Sequence, residues 1–311
     1  MSEDLLASVL TAAWNGELEL LQLIDHCSKL EQSRRAPLAA ILYQTWLRRT
    51  RSPHAHLAYF NLGATLTNLG ELTSAEEAYR QAIALSPGFI QPRLNLGLLL
   101  ERMGSPEKAV EEWRWIERNV PADTPEQKAL LILALNNLGR ALEISKQYRD
   151  ATDYLSRSLA LDSDQPDVLH HWVFLRQKQC CWPVYLPVGD TPVALMEQST
   201  SALAMIAITD DPAVQLAAAR RHVDKKVLKN APTLAGPDPY EHRRIRIGYC
   251  SSDFCLHPVA MLMVELFELH DRDQFEVYGY CWSPEDGSEI RRRVIAAMDH
   301  FRRIQPLADE E

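Results

Sequence analysis

No C-x-x-C pair, no histidine at zinc-finger spacing, no G-x-G-x-x-G and no Walker sequence occurs in this chain of 311 residues. Those absences remove the usual signals of a structural zinc site, a dithiol redox centre, a dinucleotide fold and a phosphate-cradling loop. The six cysteines, Cys27, Cys180, Cys181, Cys250, Cys255 and Cys281, read as ordinary packed thiols. Basic charge is also short: 33 Lys and Arg against 42 Asp and Glu give a formal net charge of -9. Nonspecific nucleic-acid binding needs clustered cations, so no nucleic-acid partner is expected. No apolar run reaches the roughly 18 residues of a membrane span. The start, Met1-Ser2-Glu3-Asp4, is acidic where a signal peptide is basic. The expectation is a cytoplasmic protein with no membrane partner.

What is present is repetition. Asn61-Leu62-Gly63, Asn95-Leu96-Gly97 and Asn137-Leu138-Gly139 are three copies of one tripeptide, each inside a helical apolar pattern. The glycines lie 34 and then 42 residues apart, which is the tetratricopeptide period followed by that period plus eight. The surplus fits the polar stretch at 123–128. Tyr59, Leu62, Gly63 and Leu66 line a first helix ended by Gly70, and Ala75, Tyr79 and Ala82 line a second before Pro87. Gly97, Gly104, Ala109, Trp113 and Pro121 repeat the scheme, and Gly139, Ala151 and Leu155 do so without the closing proline. Small residues let two antiparallel helices approach while large ones fill the space between units. Upstream, 5–30 and 37–49 have helical apolar spacing without the consensus and read as a degenerate helix pair capping the stack; 166–178 reads as a further helix.

Asn61, Asn95 and Asn137 stand two residues before each glycine, on the first helix of each pair, which faces inward in such solenoids. An Asn amide both donates and accepts, so a row of them can hold an extended polypeptide without reading its sequence. The same amides could instead bond the neighbouring helix, and the sequence leaves both readings open.

From residue 181 the repeat pattern breaks, and prolines from Pro183 to Pro239 punctuate the stretch up to Tyr240. Helices are expected at 193–208 and 212–228, packed rather than tethered because Leu195, Leu203, Ile206 and Leu216 remain. Residues 245–250 then read as a strand, 259–270 as a helix, 275–281 as a strand, 288–300 as a helix and 301–304 as a third strand entering. Alternating strand and helix argues for a parallel, doubly wound sheet with ligands at the carboxyl ends of its strands. That places 251–257 and 283–287 at a candidate site. His257, with Pro258 at the first helical position, is of a type suited to proton transfer near neutrality, and it also stands where a helix cap belongs.

The expected organisation is a degenerate helical cap at 1–55, tetratricopeptide repeats at 56–180, a helical connector at 181–244 and an α/β segment at 245–311. The fold class is mainly α, a tetratricopeptide α-solenoid followed by an incomplete α/β Rossmann-like segment.

Arg246-Ile247-Gly248-Tyr249, Ser251-Ser252-Asp253-Phe254, His257-Pro258, Phe275-Glu276-Val277-Tyr278, Ser283-Pro284-Glu285-Asp286-Gly287-Ser288 and His300-Phe301 together resemble the start of the catalytic region of the O-linked N-acetylglucosamine transferase and Spindly family. Cys181-Trp182, Pro239-Tyr240-Glu241-His242 and the preceding repeats resemble it too. The resemblance implies a GT-B fold of two Rossmann-like lobes, of which 245–311 would open the first. It also implies transfer of a sugar from a nucleotide sugar, UDP-GlcNAc, to Ser or Thr of proteins, with no metal or other cofactor. It implies that His257 stands near the acceptor hydroxyl, as base or positioner, and that Asn61, Asn95 and Asn137 guide polypeptide substrates. Met261 departs from the family, many of whose members carry a second histidine there. Because the sequence stops at Glu311, the donor-binding lobe is expected to lie outside it, leaving a chain that binds polypeptide but is inactive alone. The 67 residues from Ile245 would leave strand edges open to self-association. The alternative is a repeat-based protein-binding module with a vestigial α/β tail.

Overall fold

The computed structural model describes residues 3–227 and 241–304. Two units emerge, Met1–Lys229 and Asn230–Glu311. The described part of the first is helical: α1 Glu3–Asn15, α2 Leu20–Gln32, α3 Ala36–Arg49, α4 Ala55–Leu69, α5 Leu72–Leu85, α6 Gln91–Arg102, α7 Pro106–Asn119, α8 Pro125–Ile144, α9 Tyr148–Leu161, α10 Pro166–Lys178, α11 Val193–Ser199, α12 Ala202–Ile206 and α13 Pro212–Lys226. No helix among the described residues is long and apolar enough to cross a membrane.

The repeat glycines act by absence of a side chain. A Cβ at Gly63 would lie 2.7 Å from the Tyr79 ring, and Cβ atoms at Gly97 and Gly139 would collide likewise with Trp113 and Leu155. Each of these large residues stands 16 positions after its glycine and is buried, so one knob fills one notch per helix pair. The surplus eight residues of the third unit are helix, not loop. They lengthen α8 to 20 residues, and its start is fixed by Thr124, whose hydroxyl accepts the Gln127 N–H while the Gln127 side chain accepts the Thr124 N–H.

Helix ends show that the array is longer than its consensus. After α4 the Gly70 N–H donates to the Thr67 carbonyl and the Glu71 N–H to the Leu66 carbonyl. The same pair of bonds recurs after α2 at Arg34, after α6 at Gly104, after α8 at Lys146 and after α10 at Cys180, each with positive φ. α1 ends the same way at Gly16, but α2, which packs on α3 and α4, and α10, one period of 34 beyond the matching part of α8, hold first-helix positions like α4, α6 and α8. The degenerate pair expected at 5–30 and 37–49 is instead three helices: Gly16, at φ 75, separates α1 from α2. α2 and α3 make a unit in which the buried Cys27 and Tyr43 hold positions 36 residues before Gly63 and Tyr79, and the Cys27 thiol donates to the Ala39 carbonyl at 3.7 Å. α1 packs on α3 as the cap.

Among the described residues α10 has no full-length second helix beside it, only the short α11. The stretch from Val184 to α11 takes that place, with Val184 and Met196 in one core with Leu155, Leu169 and Trp172. The Arg176 guanidinium holds the stretch by donating to the carbonyls of Val184 at 2.9 Å and Pro183 at 2.7 Å. The helix expected at 193–208 is two, α11 and α12, because the Ser201 side chain caps a new start by accepting the Ala204 N–H. The connector sequence from 228 through Tyr240, with Pro232, Pro237 and Pro239, lies outside the described residues.

The second unit has β1 Ile245–Ser251, α14 Pro258–Glu268, β2 Phe275–Cys281, α15 Glu289–Ala296 and β3 His300–Arg303. The strands are parallel in the order β1-β2-β3, with Gly248 opposite Tyr278 and Tyr278 opposite His300. α14 and α15 pack against each other and share a core of Phe254, Val264, Phe267, Val277 and Val294, so both lie on one face of the sheet. The second helical layer of a doubly wound sheet is not among the described residues, and Cys250 and Arg302 on the other face are exposed.

Candidate functional site

The loops leaving β1 and β2 are bound to each other by side chains. The buried Ser283 hydroxyl accepts the Phe254 N–H at 2.8 Å, and the Arg291 guanidinium donates to the Phe254 carbonyl at 2.6 Å. Both backbone groups of one residue after β1 are therefore held from the loop and helix after β2. Asp286 extends the link by accepting the N–H groups of Leu256 and Ser288, and these bonds hold its carboxyl below the usual range. Arg291 is 2% exposed yet retains its charge, because the Glu285 carboxylate grips it at 2.9 and 2.7 Å and raises its pKa. Burial raises the neighbouring Cys281 thiol, but bonds from Ser283 and Arg291 outweigh it and the net shift is downward. Ser283 and Asp286 fall inside the expected loop 283–287. Arg291 has no such signal: it is one of three consecutive arginines, and only the structure shows that this one turns inward.

His257 closes the same loop as N-cap of α14. Its Nδ1 accepts the Val259 N–H at 3.2 Å, which puts the proton of the neutral ring on Nε2 and leaves Nε2 a donor. Asp253 Oδ2 stands 3.7 Å from that Nδ1. A proton moved to Nδ1, facing the carboxylate, would leave Nε2 an acceptor. His257 is thus the helix cap, and whether its Nε2 donates or accepts depends on the tautomer. Met261, one turn on, is exposed.

In the helical unit the first helices α2, α4, α6 and α8 approach one another in sequence along the array. Asn61, Asn95 and Asn137 lie half-buried on them. The Asn95 amide donates to the Tyr79 hydroxyl at 3.5 Å, so one of the three does reach the preceding helix pair, and Tyr43 precedes Asn61 much as Tyr79 precedes Asn95. Trp113 occupies the tyrosine position before Asn137. Asn137 instead lines a groove of about 160 Å³ with Arg140, Glu143 and His171. One period of 34 beyond Asn137, His171 holds the row's next position on α10. That residue was legible only by extending the period into a helix that lacks the tripeptide.

Comparison with known proteins covers both units. Residues 214–309 match glycosyl transferase family 41, and 56–89 match the tetratricopeptide repeat. The probable UDP-N-acetylglucosamine–peptide N-acetylglucosaminyltransferase SEC of Arabidopsis thaliana is 38% identical over 68 residues, 22% of this chain and 7% of that protein. The UDP-N-acetylglucosamine–peptide N-acetylglucosaminyltransferase of Caenorhabditis elegans is 34% identical over 98 residues, 29% of this chain and 8% of that protein. A solved mutant of the Thermobaculum terrenum O-GlcNAc transferase aligns with all of this chain and 44% of its own, at 22% identity and a TM-score of 0.33. The matches to the plant and nematode enzymes thus span under a tenth of those proteins. In its repeats and in the segment that follows them, the chain is O-GlcNAc transferase-like, a tetratricopeptide array ahead of a stretch similar to family 41 glycosyl transferases.

Proposed function

We propose that this chain serves protein O-glycosylation in the cytoplasm. The repeats hold a polypeptide along the row Asn61, Asn95 and Asn137 on the inner side of the array. The loops after β1 and β2, in a lobe of GT-B type, meet the Ser or Thr hydroxyl that receives a sugar from UDP-GlcNAc, with no metal or other cofactor. His257 stands beside that hydroxyl. In the tautomer the structure favours, its Nε2 donates a hydrogen bond and positions the acceptor; with the proton on Nδ1 against Asp253, it accepts the hydroxyl proton. The observation that carries the reading is the presence in one chain of tetratricopeptide repeats and a family 41 match spanning 214–309.

No glycine-rich turn of the kind that cradles a diphosphate follows β1. The chain unaided is therefore expected to bind polypeptide without transferring sugar. Incubation with UDP-GlcNAc and a Ser/Thr-rich polypeptide, followed by intact-mass analysis beside anisotropy binding, tests both halves. Binding without added mass is the expected result. Robust transfer would overturn the expected inactivity, and failure to bind any such polypeptide would remove the array from the reaction. Changing all three asparagines to Ala should weaken binding by about 1 kcal/mol for each amide that contacts the backbone.

A further inference from the structure

Beside the end of the asparagine row lies a cleft of about 700 Å³ between α10, the α11–α12 corner and α13. Asp167 and His171 line both this cleft and the groove that holds Asn137, so the two adjoin across α10. The wall contributed by α13 is basic. Its stripe starts at Ala218, which is 2% exposed against the body of the unit, and continues as Arg221, His222, Lys225 and Lys226. At helical spacing these side chains face the cleft, and Arg221–Lys225 is an i, i+4 pair of like charge, which weakens an isolated helix. His170 and His171 face them from α10. Among the described residues Asp167 is the one acidic residue lining the cleft, and it already receives the Lys225 ammonium at 3.1 Å. The Arg221 guanidinium is anchored by donating to the Glu197 carbonyl at 3.3 Å. A chain with a net charge of -9 has thus gathered four exposed basic side chains along one wall of this cleft, where among the described residues Asp167 pairs Lys225 and Glu143 stands 3.0 Å from His171.

We propose that this cleft receives acidic side chains of a polypeptide whose backbone lies along the row ending in Asn137 and His171. It rests on the polypeptide-holding reading above and adds a preference: Asp or Glu on the segment that passes α10. Carboxylates satisfy an ammonium or guanidinium wall in a way that a neutral backbone, bound by amides alone, does not. The row supplies tolerance of sequence, and the cleft supplies the choice.

The test uses the whole chain and two labelled peptides that share a Ser/Thr-rich extended half and differ in the other, a run of glutamates in one and of glutamines in the other. The glutamate peptide is expected to bind roughly tenfold or more tightly, in keeping with charge-assisted bonds, and to lose that advantage as salt rises. Arg221→Ala/Lys225→Ala/Lys226→Ala should bring its affinity down to that of the glutamine peptide. Lys108→Ala/Arg118→Ala/Arg149→Ala removes the same charge from exposed sites on α7 and α9 and should change neither. Equal binding of the two peptides would overturn the preference while leaving the polypeptide-holding reading intact. Equal losses in both triple variants would overturn it as a mere effect of net charge. Pyrophosphate displacing the glutamate peptide at stoichiometric concentration would reassign the cleft to small anions. Binding of neither peptide would overturn both readings.

Discussion

In the array, the first helices end on a repeated backbone device. After α2, α4, α6, α8 and α10 the same two N–H groups return to the same two carbonyls, and the Ser33 and Ser145 hydroxyls add bonds to last-turn carbonyls at two of these ends. In the α/β unit the loop after β1 is closed by side chains: Ser283, Asp286 and Arg291 reach 254–256 from some 30 residues away or more. The difference follows from what each part presents. A repeat must look alike at every step and expose its row, so its order comes from shape, a notch and a knob. The loop after β1 holds one arrangement at one place, and charged bonds with fixed directions do that better than packing. The two parts should therefore fail to different kinds of substitution.

Trp113→Ala is expected to have the largest effect. The ring is fully buried over Gly97, and its Nε1 donates to the Leu94 carbonyl at 3.4 Å. Removing such a side chain from a core costs about 3–5 kcal/mol, because the walls of the cavity relax only in part. Denaturant unfolding should show that loss, and hydrogen exchange should locate it in α6 and α7. A loss below about 1 kcal/mol would mean that the knob and notch are not what orders the array.

Arg291→Met keeps much of the volume and removes the charge. It strands the Phe254 carbonyl, whereas the half-exposed Glu285 can turn to water, so about 2–3 kcal/mol is expected rather than the full cost of breaking a buried pair. Exchange at 254–256 should quicken. Arg291→Lys should recover only part, since an ammonium cannot make both bonds to Glu285 and also reach Phe254 in the same plane. Full recovery with Lys would show that charge matters there and direction does not.

How much of this could be read beforehand follows the same division. Three units were legible because Asn-Leu-Gly marks the notch, and the strands and helices after 245 because apolar spacing changes period. The outer units were hidden. Cys27 stands in a notch position, and Arg34 and Cys180 adopt the left-handed end usually left to glycine, so nothing local betrays them. His257 could be singled out by its place before Pro258. Arg291 could not, because burial of one arginine among three depends on what lies across the sheet. The basic stripe on α13 was legible as composition, but the cleft it lines was not.

The smallest expected effect is the most exacting test of the claim that helix ends in the array are backbone devices. Gly104 and Lys146 hold the same position in successive units, with φ of 77 and 61 and the same two bonds. A Cβ at Gly104 would meet nothing within 4 Å, and Lys146 is exposed, so neighbours contribute little at either place. What remains is the left-handed conformation, which costs a non-glycine residue about 1–2 kcal/mol. Against it stands the greater freedom that glycine loses on folding, about 0.5–1 kcal/mol. Lys146→Gly should then stabilise by a net ~0.5–1 kcal/mol, seen as a higher denaturant midpoint at unchanged slope. Gly104→Lys should destabilise by a similar amount, and the double swap should come back close to the starting protein, because the two sites share no partner. A destabilising Lys146→Gly would show that this side chain does work in the third unit that no glycine does in the second.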